Sequence, residues 1–103
     1  MKRRATYIPM SREKRSIVRR LAVLAVELDD EVRIRETMSE FDGGMGWNMS
    51  VAHELRRSAG TVRFVATLIL QGNMSAARAR LWLNATTSYL KLVRSADNEG
   101  IIR

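Results

Sequence analysis

The feature that most limits how this chain can fold lies near its start. Ile17, Leu21, Leu24 and Leu28 recur at spacings of four, three and four, and Val18, Ala22, Ala25 and Val32 fill the flank of the same stripe. That is the period of one helical face. Within it, residues 21–26 (Leu-Ala-Val-Leu-Ala-Val) are apolar almost all round. Such a helix is buried on more than one side. It sits either at the centre of the monomer or in a dimer interface, and Ile17, Leu21, Leu24 and Leu28 are the residues assigned to dimerisation. A chain of 103 residues buries one modest core, so a second copy is a natural cover for the remaining apolar surface.

The rest of the chain also reads as helix. Pro9, the only proline, lies outside every periodic segment, and just six per cent of residues are aromatic. Residues 1–10 read as a flexible basic arm, and Ser11 is placed to cap the first helix. Asp29 and Asp30 are expected to end it. A shorter helix over roughly 31–41 follows, with Ile34, Met38 and Phe41 on its apolar face. Residues 42–46, Asp-Gly-Gly-Met-Gly, read as a loop. A phosphate-binding loop is excluded there, because no strand precedes it and no Gly-Lys-Ser/Thr follows. Asn48 or Ser50 caps the next helix, whose inward residues are Val51, Ala52, Leu55, Ala59, Val62, Val65, Ala66 and Ile69, with Gly60 as a candidate interruption. Residues 71–73, Gln-Gly-Asn, stop it and Ser75 caps another. Ala76, Ala79 and Leu83 then share a face, Asn84, Ala85 and Thr86 read as a tight turn, and Leu90 and Val93 face the core of a last helix. The expected architecture is an all-α bundle of about five helices with a C-terminal helix-turn-helix. A short terminal strand at Ile101 and Ile102 is a further candidate. Residues 11–103 form one domain, divided into N-terminal helices over 11–46 and a helix-turn-helix region over 47–103.

Charge is distributed unevenly. The net charge is +7, and residues 1–20 carry eight Lys/Arg against Glu13 alone. The middle of the chain is acidic, and residues 55–103 carry eight Lys/Arg against Asp97 and Glu99. Such a balance is a statement about partners, and it points the N-terminal segment and the C-terminal half toward a polyanion.

The order of elements over the last 43 or so residues resembles bacterial winged helix-turn-helix regulators. Its best parts are residues 83–88 (Leu-Asn-Ala-Thr-Thr-Ser) and 98–103 (Asn-Glu-Gly-Ile-Ile-Arg). The wing itself is absent or truncated. The resemblance implies a recognition helix over 87–95 that presents Thr86, Thr87, Ser88 and Lys91 to the major groove. Arg78, Arg80 and Arg94 would flank the groove and contact phosphates. Lys2, Arg3 and Arg4 would form an arm along the minor groove. A plain four- or five-helix bundle produces the same spacing.

Chemistry is poorly supplied. There is no cysteine, and His53 is the single histidine, so thiolate sites, a His-based triad and a multi-histidine metal site cannot form in one chain. Glu27 with Glu31, and Glu36 with Glu40, share helix faces, with Arg33 and Arg35 nearby as counter-charges. Trp47 and Trp82 could stack on single-stranded bases but more often complete a core. No apolar stretch is long enough to span a bilayer. The expectation is a cytoplasmic, non-enzymatic DNA-binding regulator with no cofactor. It would act as a homodimer on double-stranded DNA. A small protein-interaction module or inhibitor with a protein partner is the alternative, and RNA binding is a third possibility.

Overall fold

The apolar period that begins at Ile17 does not stop at Asp29. In the computed structural model, which describes residues 10–41 and 46–98, it runs on through a single helix, α1 (Arg12–Phe41). Helix α2 (Trp47–Leu70) and helix α3 (Ala76–Asn98) complete the fold. The described residues are thus all-α, with three long helices in place of about five short ones. The expected strand at Ile101 and Ile102, residues 1–9 of the arm and most of the 42–46 loop lie outside the described residues.

Each missing break has a local cause. Asp30 pairs with Arg33 one turn ahead, and Asp29 pairs with Arg63 of α2, so both acids are satisfied inside a continuing helix. Once α1 continues in phase, its inward positions become Glu31, Val32, Arg35 and Ser39. Ile34, Met38 and Phe41, expected to face the core, are instead exposed, Phe41 to 87%. Asn84, Ala85 and Thr86 make no turn. They lie inside α3, where Leu83, Thr86, Leu90 and Val93 keep the three-to-four spacing and all are buried. Continuous burial outweighs the weak helix propensity of asparagine and threonine, roughly 0.7 kcal/mol each at most. Gly60 lies within α2 without interrupting it.

Three of the helix ends carry the expected chemistry. Ser11 Oγ accepts the Lys14 amide at 3.1 Å, and Ser75 Oγ accepts the Arg78 amide at 3.1 Å. At the end of α2 the Asn73 amide donates to the Leu68 carbonyl at 2.8 Å and the Gly72 amide to Ile69 at 2.9 Å. That Schellman pattern needs a left-handed residue, and Gly72 supplies it at φ +77°. The start of α2 departs from expectation. Its cap is Gly46, with no side-chain hydrogen bond, while Asn48 lies within the helix and is buried.

Ion pairs fix how the helices lie. Arg63–Asp29 and Arg56–Glu36 set α2 antiparallel to α1. Carried forward, that register puts Leu70 at the level of Ala22. Arg80–Glu13 and Arg94–Glu31 set α3 parallel to α1. One core joins all three, from Ile17, Leu21 and Leu28 through Leu55, Val62 and Val65 to Ala79, Leu83 and Leu90. Fully burying each large aliphatic side chain contributes about 1.5–3 kcal/mol. The molecule measures 62 × 22 × 15 Å. Its width is one to two helix diameters, so every helix keeps an outward face.

Candidate nucleic-acid interface

Ile17, Leu21, Leu24 and Leu28 are all buried inside the chain's own core. They form no open face for a second copy, because α2 and α3 already cover them. The remaining candidates fall into two groups according to how their charge is used.

In the half of the molecule around residues 29–36 and 54–63, charges are compensated within the fold. Arg35 is the extreme case, with 0% exposure. Its Nε donates to Glu31 Oε2 at 3.2 Å and its Nη1 to Asn48 Oδ1 at 3.0 Å. Glu31 also faces Arg94, whose Nε lies 3.5 Å from Oε1. One buried network therefore ties α1, the first turn of α2 and the last turns of α3 together, as buried charge requires. Tyr89 lies at its edge. Burial, and secondarily the charge of Glu54, raise the pKa of its phenol above the ordinary tyrosine value, against a smaller lowering by Arg35. Arg33, Arg56, Arg57 and Arg63 each face a carboxylate.

The other end behaves differently. The first turns of α1 lie beyond the end of α2 and pack beside the first turns of α3. This end carries Arg12, Lys14, Arg15, Arg19, Arg20, Arg78 and Arg80 against Glu13 alone, and Glu13 is committed to Arg80. Among the described residues, the other six cations have no ion pair. Arg12, Arg15, Arg19, Arg20 and Arg78 are exposed, and Lys14 is half-buried. Spacings of three and four place Arg12, Arg15 and Arg19 on one strip of α1. The parallel arrangement also brings two positive helix N-termini to this end.

The predicted recognition surface is rearranged. Thr86, expected to meet the groove, is buried at 9% exposure, and Thr87 is half-buried. Ser88 and Lys91 are exposed on α3, without a preceding turn that would make their segment a separate helix. Arg94 is exposed and Arg80 half-buried, and they are engaged with Glu31 and Glu13. Arg78 is the one predicted phosphate contact that is both described and free of an acid. Lys2, Arg3 and Arg4 lie outside the described residues. Arg12, Lys14, Arg15, Arg19 and Arg20 are not among the contacts named from the sequence, although the charge of residues 1–20 points that segment toward a polyanion. Their signal is a run of positive charge opposed by Glu13 alone, on the same helix as the apolar stripe from Ile17 to Leu28.

Among the described residues no group of three or more His, Cys, Asp or Glu is placed to hold a metal ion, and no helix is long and apolar enough to cross a membrane. Compared with family models, with curated proteins and with solved structures, the chain matches none.

Proposed function

We propose that this is a DNA-binding protein that grips the phosphate backbone through the end where α1 and α3 begin. One observation carries the reading: nearly all the excess positive charge of the described residues is gathered there, six cations with no ion pair among those residues, while Asp29, Glu31 and Glu36 elsewhere are matched to arginines. Like charges held this close repel one another. A polyanion relieves that repulsion and releases its own counterions in return. Contacts of this kind supply affinity without sequence information. Base-specific reading by a short helix after Asn84–Thr86 is no part of the proposal, since α3 is continuous there. The DNA contacts fall to Arg12, Lys14, Arg15, Arg19, Arg20 and Arg78, with Lys91 further along α3.

A second reading rests on a different surface. Val23, Val26, Ile34, Met38 and Phe41 are exposed along α1, the kind of patch a protein partner covers. Salt separates the two. Fluorescence anisotropy with labelled DNA should show affinity falling steeply between about 50 and 200 mM salt. Absence of DNA binding at the lower salt, in a protein whose helicity is intact, would leave the protein-partner reading as the better account.

A further inference from the structure

Helix α3 adds a second kind of chemistry to the cationic end. Leu81 is 70% exposed and Trp82 42%. With Arg78 and Ala85 they line an open depression of about 360 Å³. The spacing from Arg78 to Leu81, Trp82 and Ala85 is that of one helical strip. The Arg80–Glu13 pair belongs to the same turns of α3 and holds them against the first turn of α1. An indole on an apolar shelf therefore lies beside the guanidinium of Arg78, which has no ion pair among the described residues.

Two features of that shelf select its occupant. The apolar lining asks for a flat, poorly hydrated surface, and the Arg78 guanidinium beside it asks for an anion. Duplex DNA offers the anions but keeps its base faces inside the stack. An unpaired strand offers both, because any base can stack on an indole while its phosphate meets a guanidinium. A second copy of this chain fits poorly, since pairing on this strip would bring two cationic ends together.

We propose that the DNA held at this end is single-stranded, with an unstacked base seated on Trp82 and a neighbouring phosphate on Arg78. The proposal rests on the DNA-binding reading and names the form of DNA that the site takes.

Trp47, the other tryptophan, stands at the start of α2, far from this end. In a Trp47→Phe background the emission therefore reports Trp82 alone. A thymidine oligonucleotide should quench that emission on binding, and the matching duplex should not. Trp82→Ala should weaken single-strand affinity roughly tenfold or more. It should leave duplex affinity and the salt slope unchanged, and Trp82→Phe should keep most of the single-strand affinity. Circular dichroism checks that each variant is folded. If folded Trp82→Ala binds the single strand as tightly as the parent, or if the parent prefers duplex, the stacking proposal fails while the phosphate reading stands. If neither form of DNA binds, both fail. A change in molecular mass on mutating Trp82, without a change in DNA affinity, would show that another polypeptide covers the shelf.

Discussion

The two ends of this molecule solve the problem of charge in opposite ways. Around Arg35, charge is answered from within: Glu31 and Asn48 accept its guanidinium in the core, Arg94 reaches Glu31 from the surface, and Arg56 and Arg63 reach across to α1. At the start of α1 the same residue type is used without counter-charge, beyond the point where α2 could supply any. Arginine content alone does not distinguish a structural helix from a binding one. What distinguishes them is whether a carboxylate stands within reach in the folded chain. The comparison suggests a division of labour, with one half holding three helices together and the other left electrostatically incomplete for an external polyanion.

The largest effect should come from the compensated half. Arg35→Ala removes the partner of a buried carboxylate and of Asn48, and should cost about 3–5 kcal/mol of folding stability in urea or thermal unfolding. Replacing both members of the pair, Glu31→Leu with Arg35→Met, should recover most of that loss, because well-packed apolar groups carry no desolvation penalty. A loss below about 1 kcal/mol for Arg35→Ala would mean that the network contributes little, and the contrast between the ends would blur.

A smaller effect separates surface arginines of the two kinds. Arg63→Ala breaks an exposed pair with Asp29 and should cost roughly 0.2–1 kcal/mol. Arg15→Ala and Arg19→Ala break no pair, so their stability should stay within about 0.5 kcal/mol of the parent, or rise as repulsion is relieved. Destabilisation by Arg15→Ala equal to that of Arg63→Ala would show an internal partner for Arg15 and weaken the case for the cationic end.

The smallest expected effect is a dependence on pH. The folded-state pKa of Tyr89 is raised chiefly by burial. A raised acid pKa contributes stability that is fully present below the unfolded value, about 10, and is lost as pH climbs through the folded value. Unfolding free energy should therefore decline above about pH 10, and Tyr89→Phe should shallow that decline. An unchanged decline in the variant would place its source in other groups.

Much of the fold is legible in the sequence. The stripe from Ile17 to Leu28, the inward residues of α2, the serine caps at Ser11 and Ser75 and the stop at Gly72 can all be read from spacing and residue type, because each depends on neighbours within a few positions. The length of the helices is not legible in that way. Asp29 and Asp30 look like a terminus until Arg63, distant in sequence, arrives beside them. Asn84–Thr86 looks like a turn until Thr86 is seen to be buried among apolar neighbours. The consequence for function is direct: with the turn gone, Thr86 moves into the core and a recognition helix loses its start. The cationic end is half legible. The charge run shows in the sequence, but which arginines remain unpaired depends on where α2 ends.

The central claim is that these unpaired cations at the start of α1 and α3 are the DNA contacts. It is tested most directly by comparing how salt weakens DNA affinity in two triple variants. One is Arg15→Gln, Arg19→Gln, Arg20→Gln; the other is Arg33→Gln, Arg56→Gln, Arg57→Gln. The slope of log affinity against log salt should shrink in the first by roughly 0.7 per lost contact on a single strand, or 0.9 on a duplex. In the second it should match the parent, since those arginines already face carboxylates. An unchanged slope in the first variant, or an equal fall in both, would contradict the account.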